Sequence, residues 1–295
     1  MPAAVMRQER EMPRGLRVFI FANCQGRGIQ HFLNLLLRAD TPVEFLHIEN
    51  YGVLNDAEAV LRHADFIRGA GVFIFQPLSA EAAYKAPALI DELLPAWCQR
   101  ISFPYIYNNA LWPVVIEGNS VTTSDDLIEV VCSGAPLDEV LADYDAGRLQ
   151  FRFMERFIDT VSILRDREES CDVKVCRFIE RQLLHKPLFL TQNHPTSLVF
   201  MECARQIHLL LKARGVLPAS SVCDLSLFEG LPMNAIGLPG YWPIDGYAEA
   251  FYKFRWLGAA EETAAEFYKG LIAAMWQEAG RLRRQGVRVP SMPSV

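Results

Sequence analysis

The chain has 295 residues, of which 51% are hydrophobic and 22% are charged, a composition typical of a globular protein with a sizeable core. Its formal net charge of -6, without a basic run, disfavours nucleic acid or a membrane surface as the binding partner. No stretch approaches ~18 uninterrupted apolar residues, so we expect no membrane span. Residues 1–15 lack the apolar core of a signal peptide, so we expect a cytoplasmic location.

The seven cysteines are irregularly spaced, and no two of them form a Cys-x-x-Cys pair. This pattern disfavours a structural zinc site, a thioredoxin-type motif and a disulfide framework. We therefore expect reduced thiols and no metal cofactor.

Strand-like and helix-like segments alternate in the first half of the chain. In chain order the pattern predicts strand 16–22, helix 28–38, strand 43–48, helix 55–64 with Asn55 as its N-cap, strand 71–77, helix 87–98 and strand 101–107. This rhythm predicts a parallel sheet with flanking helices. Ligands bind to such sheets beyond the carboxyl ends of the strands, where Cys24, Gln76 and Asn108 are expected.

Helical patterns dominate the second half. They predict helices 124–134 and 137–146, one long or broken helix 151–184, strand 187–191, a helix from Pro195 to about residue 212, and helix 261–284. The predicted fold is therefore an α/β parallel sheet with a helix-rich C-terminal half. We expect a flexible N-terminus over 1–15, an α/β core over 16–120, a helix-rich part over 121–286 and a loosely held tail over 287–295.

Cys24 is the candidate nucleophile. The apolar run Val18–Ala22 stops at Asn23-Cys24-Gln25, just before the predicted helix, so the thiol lies where a strand ends and a helix begins. Backbone N–H groups and the positive end of a helix dipole favour a thiolate there. The same N–H groups, from Cys24 to Gly26, can stabilise an oxyanion. The alternative is a small thiol buried in the core.

His194 is the candidate base, because it alone among the six histidines lies in a predicted turn after a strand. Acyl transfer needs a group that titrates near neutral pH, as imidazole does. The alternative is a histidine that caps a helix or fills the core. Because Cys24 and His194 both follow predicted strands of one sheet, we expect them to share one crevice.

Further polar residues extend the predicted site. Amides at strand ends can orient a substrate or donate to an oxyanion, although asparagine is also common in turns. The candidates for this role, together with Gly26, are Asn23, Gln25, Gln76 and Asn193. Arg27 is a candidate for phosphate binding. The same role is expected of three cations before the His194 strand, Arg177, Arg181 and Lys186, for which the alternative is a solvated helix face.

Two nucleotide-binding motifs are absent from the sequence. Gly26 and Gly28 form a Gly-x-Gly fragment, but the third glycine of the dinucleotide motif is missing. No Gly-x-x-x-x-Gly-Lys-Ser/Thr loop occurs either, so nothing indicates hydrolysis of a nucleoside triphosphate.

Three segments together resemble the WcbI-type capsular polysaccharide biosynthesis proteins. They are Asn23-Cys24-Gln25, Gln76-Pro77 and the run 191–196, Thr-Gln-Asn-His-Pro-Thr. The resemblance extends over about residues 16–240. It implies an acetyltransferase that uses coenzyme A and a carbohydrate acceptor, with Cys24 and His194 as the catalytic pair.

The layout is also similar to SGNH-type hydrolases and acyltransferases, with Asn-Cys-Gln in place of Gly-Asp-Ser. Cysteine replaces serine, and no Asp-x-x-His precedes the histidine, so a third triad member is not identified. Two other functions fit the same residues. One is an SGNH-like carbohydrate esterase, and the other is a glycan- or nucleotide-binding protein without turnover.

Overall fold

The computed structural model describes residues 15–37, 42–78, 84–117, 120–123, 127, 130, 131, 133–257 and 262–284. Most of the predicted N-terminus 1–15, the tail 287–295 and most of the predicted helix 124–134 lie outside these residues. The chain divides into two compact units. Unit 1 comprises Met1–Tyr105, Ser170–Lys174 and Phe200–Leu231, and unit 2 comprises Ile106–Glu169, Val175–Val199 and Pro232–Val295. The domain boundaries expected from the sequence stay a prediction.

Unit 1 contains the predicted parallel sheet. Up to residue 105, its elements are β1 (Leu16–Ala22), α1 (Gln25–Leu37), β2 (Val43–Glu49), α2 (Asn50–Val53), α3 (Ala57–Leu61), α4 (Ala64–Arg68), β3 (Val72–Phe75), α5 (Lys85–Leu93) and β4 (Gln99–Ser102). The strands pair in parallel in the order β2-β1-β3-β4. The α/β fold predicted from the alternating pattern is confirmed.

The rest of the chain is mostly helical, as predicted. Its elements are β5 (Val114–Glu117), β6 (Ser120–Thr123), α6 (Leu137–Asp145), α7 (Phe153–Glu169), α8 (Cys176–Gln182), β7 (Phe189–Thr191), β8 (His194–Pro195), α9 (Ser197–Ala213), a 3-10 helix (Leu225–Phe228), α10 (Gly246–Tyr252) and α11 (Glu262–Arg284). Strands β5 and β6 form an antiparallel pair, and so do β7 and β8. The antiparallel pair of β5 and β6 was not predicted from the sequence.

Two predicted helix starts are wrong, because the capping side chains differ from those expected. Helix α1 begins at Gln25 rather than Gly28, since the Asn23 side chain accepts the Gln25 N–H at 2.9 Å. The predicted helix 55–64 is instead the short helices α3 and α4. Asp56, not Asn55, caps α3 by accepting the Ala59 N–H at 3.1 Å.

The predicted strand 101–107 is too long, and β4 ends at Ser102. The Ser102 N–H donates to the Asp172 carboxylate at 2.8 Å, and Pro104 has no N–H to continue a ladder. Asn108 therefore does not follow a strand of the sheet. Its N–H donates instead to the Gln192 carbonyl at 2.7 Å, within unit 2.

The strand before His194 does not join the parallel sheet. Among the described residues, strand β7 pairs only with β8, with Phe189 opposite Pro195 and Thr191 opposite His194. Pro195 is thus part of β8, and the helix expected to start there begins at Ser197. The expectation that Cys24 and His194 follow strands of one sheet is therefore wrong.

The predicted segment 151–184 is a broken helix. Helix α7 ends at Glu169 and α8 starts at Cys176. The Glu168 carboxylate accepts the N–H groups of Val175 and Cys176 at 2.7 and 3.0 Å. A carboxylate at the first turn of α8 satisfies N–H groups that the helix leaves unpaired.

Alternate residues of β1 point to opposite faces of the sheet, and both faces are buried. Phe19 and Phe21 pack with Val60 of α3 and Ile90 of α5. Val18, on the other face, is 0% exposed, which requires a second covering layer. Helix α1 contacts β1 and β2. Each large side chain buried in this way contributes about 1.5–3 kcal/mol.

Unit 2 holds a buried polar cluster around Asp245, which is 0% exposed. Its carboxylate caps α10 by accepting the Tyr247 N–H at 2.7 Å, and it also accepts a hydrogen bond from the Tyr144 hydroxyl. Burial raises the pKa of Asp245, although the Tyr144 hydroxyl opposes this shift. The cluster ties α6 to the start of α10.

Two glycines with opposite surroundings test the packing of α1. A Cβ built on Gly28 lies 2.5 Å from the Phe200 ring, whereas a Cβ on Gly270 of α11 meets nothing within 4 Å. We expect Gly28→Ala to lower the free energy of unfolding by about 1–3 kcal/mol through overpacking. Gly270→Ala is expected to raise it by about 0.5–1 kcal/mol, because alanine favours a helix. Urea denaturation measures both changes, and a Gly28→Ala protein as stable as wild type would contradict this packing.

Candidate active site

The turn Asn23-Cys24-Gln25 connects the carboxyl end of β1 directly to the first turn of α1. The Gln25 N–H donates to the Asn23 side chain and the Gly26 N–H to the Asn23 carbonyl, both at 2.9 Å. Cys24 is partly exposed at this turn. A thiol is therefore held at the end of a rigid strand, as the sequence predicts.

The Gln76 side chain fixes this turn from the neighbouring strand. Its carboxamide oxygen accepts the Asn23 N–H at 2.9 Å, and its NH₂ group donates to the Gln25 carboxamide oxygen at 3.0 Å. Gln76 is 4% exposed and Gln25 is 0% exposed. Both side chains thus position the residues on either side of Cys24.

His47 was not identified as a site residue from the sequence, but it lies beside the same turn. Its Nε2 is 3.2 Å from the Ala22 carbonyl oxygen. A Cβ built on Gly26 would lie 2.4 Å from that nitrogen, so only glycine fits there. Burial lowers the pKa of His47, although the Ala22 carbonyl and the Glu49 carboxylate oppose this shift. The ring is therefore neutral at pH 7.

Glu49, at the end of β2, was also missed. Its carboxylate pairs with the Arg27 guanidinium at 2.7 Å and accepts a hydrogen bond from the Tyr51 hydroxyl. The Arg27 side chain is 64% exposed, so its charge is accessible to a ligand. Glu49 follows the rule used for the other candidates, a polar residue at the carboxyl end of a predicted strand.

The pKa of Cys24 differs from the expectation. Burial raises this pKa most and the Glu49 carboxylate raises it further. The N–H groups of Cys24 and Gln25 and the Arg27 guanidinium lower it, but the net shift is upward. The helix start therefore does not make Cys24 a preformed thiolate, and the thiol needs a base when it reacts.

His194 lies in unit 2, at the start of β8. Its Nδ1 is buried and has no hydrogen-bond partner among the described residues. Burial lowers the pKa of His194, although the Pro239 carbonyl opposes this shift. The neutral ring can therefore accept a proton at pH 7. The pairing of His194 with Cys24 stays a prediction.

The other predicted site residues divide between the two units. Asn23, Gln25, Gly26, Arg27 and Gln76 surround Cys24 in unit 1. Asn193 lies next to His194 in unit 2, where its side chain accepts a hydrogen bond from the Thr191 hydroxyl at 3.1 Å. The three cations of unit 2 that were predicted to bind phosphate, Arg177, Arg181 and Lys186, are all exposed. Their proposed role in phosphate binding stays a prediction.

A cavity of about 360 Å³ lies in unit 1 beside Gln76. Phe21, Phe75 and Tyr84 supply aromatic walls, and Arg100, paired with Asp91 at 2.6 Å, also lines it. Apolar walls with a few polar groups are typical of small-molecule sites.

Within the described residues, no group of three or more His, Cys, Asp or Glu side chains is placed to hold a metal ion. The same part of the chain includes no helix that is long and apolar enough to cross a membrane.

The electrostatic influence of Glu49 on Cys24 can be measured directly. Glu49→Gln removes a charge that raises the Cys24 pKa and releases the charge of Arg27, so this pKa should fall. Alkylation of Cys24 by iodoacetamide at pH 7.5 should then be several-fold faster than in wild type. In wild type, the alkylation rate should still increase with pH at about pH 9.

Glu44→Gln is the matched control, because Glu44 lies on the same strand and pairs with Arg17 at 2.9 Å. It should leave the alkylation rate unchanged. Peptide mapping must separate Cys24 from Cys223, the other partly exposed cysteine among those described. A slower reaction in Glu49→Gln would contradict this account.

Comparisons with known proteins identify the family of this chain. The family model of the polysaccharide biosynthesis enzyme WcbI matches residues 17–215, more than half of the chain. A solved structure of WcbI shares the fold with a TM-score of 0.57 and 18% identity, covering 92% of this chain and 96% of its own. It is described as a novel polysaccharide biosynthesis enzyme and as native protein without a disulfide bond between coenzyme A and a cysteine. A search of curated proteins found no match. The chain belongs to the WcbI polysaccharide biosynthesis enzyme family.

Proposed function

We propose that this protein is an O-acetyltransferase that moves an acetyl group from acetyl coenzyme A to a sugar hydroxyl of a surface or capsular polysaccharide. The observation that carries the proposal is the partly exposed Cys24, held between β1 and α1 by Gln76. Membership of a polysaccharide biosynthesis family supports a carbohydrate as the acceptor. The coenzyme A named with the WcbI structure supports the acyl donor.

The residues near Cys24 suit a thioester with a phosphate-bearing tail. Arg27 is 64% exposed and lies in the first turn of α1, so it offers a cation to a phosphate next to the positive end of a helix dipole. The exposed Arg177, Arg181 and Lys186 are further candidates for the same ligand.

Two mechanisms fit these residues. In the covalent one, Cys24 attacks the acetyl thioester, coenzyme A leaves, and the sugar hydroxyl then takes the acetyl group from Cys24. The raised pKa of Cys24 means that the thiol needs a base, and we propose His194 for this role, because burial keeps its ring neutral. In the direct mechanism, His194 deprotonates the sugar hydroxyl and Cys24 only lines the site.

Binding of coenzyme A tests the proposal without knowledge of the acceptor. Coenzyme A at ~100 times its dissociation constant should stabilise the folded protein by about 2.7 kcal/mol. Thermal melts with and without the ligand measure this, with calorimetry as an independent check. The absence of both a shift in melting temperature and heat of binding would contradict the proposal. That result would favour the esterase or the binding protein.

Two substitutions separate the mechanisms. If Cys24 carries the acetyl group, Cys24→Ser should abolish both the acetyl adduct seen by mass spectrometry and most turnover. If transfer is direct, Cys24→Ser should keep much of its rate, while His194→Ala loses about 100-fold or more. Coenzyme A release reports turnover, and His185→Ala is the control because His185 is an exposed histidine of the same unit.

The same assay gives a pH dependence. The base must be neutral, and burial lowers the pKa of His194, so the rate should fall only below about pH 6.5.

Near wild-type rates in both Cys24→Ser and His194→Ala would exclude this site as the chemical centre.

A further inference from the structure

The cavity beside Gln76 lies where the parallel sheet reverses its strand order. Strands β2 and β3 flank β1 on opposite sides, so the chain leaves β1 in one direction and later continues in the other. Ligands of open α/β sheets bind beyond the carboxyl ends of the strands at such a switch point. Phe21 and Phe75, the last register pair of β1 and β3, line the cavity together with Gln76. The cavity therefore occupies the position where this fold is expected to bind a ligand.

Gln76 connects the cavity to the Cys24 turn. Its side chain accepts the Asn23 N–H at 2.9 Å and donates to the Gln25 carboxamide oxygen at 3.0 Å. Both mechanisms of the proposed function require the sugar acceptor close to this turn. A ligand in the cavity would lie next to the side chain that holds the turn in place.

The aromatic walls of the cavity are fixed in position. The Phe75 ring is partly exposed and stacks on Phe73, with centroids 4.9 Å apart and 10° between the ring planes. Phe73 stacks in turn on Phe19 of β1 at 5.1 Å. Tyr84, which is also partly exposed, adds a second ring to the lining. The face of an aromatic ring is negative, so it attracts the weakly positive C–H groups that a sugar ring presents.

The charges that line the cavity balance each other. Asp91 and Arg100 are the only charged residues among the described lining residues, and they pair at 2.6 Å. Their side chains are 59% and 47% exposed, respectively, so both remain accessible to a ligand. A carboxylate accepts and a guanidinium donates, and together they can bind neighbouring hydroxyl groups. The described lining offers no surplus of positive charge to the phosphates of a nucleotide, which favours an uncharged ligand.

We propose that this cavity is the acceptor subsite, in which a neutral pyranose ring packs against Phe75 and Tyr84 while its hydroxyl groups bind Asp91 and Arg100. The assignment to the acceptor rests on the proposed function. The cavity volume of about 360 Å³ is near the lower end of the range for small-molecule sites, about 300–1,000 Å³. This size suits one sugar residue better than the whole of coenzyme A.

Binding of simple glycosides, without coenzyme A, tests the proposal. The probes are the methyl α-glycosides of glucose, galactose, mannose and N-acetylglucosamine, and saturation-transfer NMR measures their binding. The wild-type protein should bind at least one of them with a dissociation constant in the millimolar range. Tyr84→Ala should weaken this binding about tenfold through the loss of a ring contact. Asp91→Asn should weaken it by a similar factor through the loss of a charged acceptor.

Asp65→Asn is the matched control, because Asp65 is an exposed carboxylate of the same unit that pairs with Arg68 at 3.2 Å and does not line the cavity. It should leave the binding of the glycoside unchanged. Thermal melts should show all three variants folded. Calorimetry should show that Tyr84→Ala binds coenzyme A as tightly as wild type, because the donor lies outside this cavity.

Three results would overturn the proposal. They are the failure of wild type to bind any of the four glycosides, unchanged binding in both cavity variants, and a loss of coenzyme A affinity in Tyr84→Ala, which would assign the cavity to the acyl donor. Because the glycosides are measured alone, the failure of wild type to bind coenzyme A would overturn the proposed function and leave the sugar-binding result intact.

Discussion

The arrangement around Cys24 depends on the carboxamide of Gln76. This one side chain uses its oxygen on the Asn23 N–H and its NH₂ group on Gln25, and so links the end of β3 to both sides of Cys24. A buried amide that makes both kinds of hydrogen bond is worth more than either bond alone, since the loss of the side chain leaves two buried groups unpaired. The turn keeps its shape because strand β3 holds it.

The charges around the turn set the chemistry of the thiol. Glu49 opposes ionisation of Cys24, while Arg27 and two backbone N–H groups favour it, and burial decides the balance towards the neutral thiol. Burial also keeps the His47 and His194 rings neutral. In the proposed covalent mechanism, a thiol with a raised pKa requires a base at the moment of attack.

The close contacts around α1 explain why the first turn of this helix contains two glycines, Gly26 and Gly28. Gly26 leaves room for the His47 ring, and Gly28 leaves room for Phe200. In the sequence alone, this Gly-x-Gly fragment resembles part of a nucleotide-binding loop, although the missing third glycine argues against that function. Here both glycines serve packing.

The local sequence determined the parallel sheet, the position of Cys24 at the end of β1 and the helical second half. These features follow from alternating apolar runs, from side chains that cap helices and from strand ends, all of which are local. Only the tertiary structure decided three further points. Proline and the Asp172 carboxylate end β4 before Asn108, and β7 pairs with β8 rather than with the sheet. Burial raises the pKa of Cys24 against the effect of the helix start, because desolvation depends on residues that are distant in the sequence.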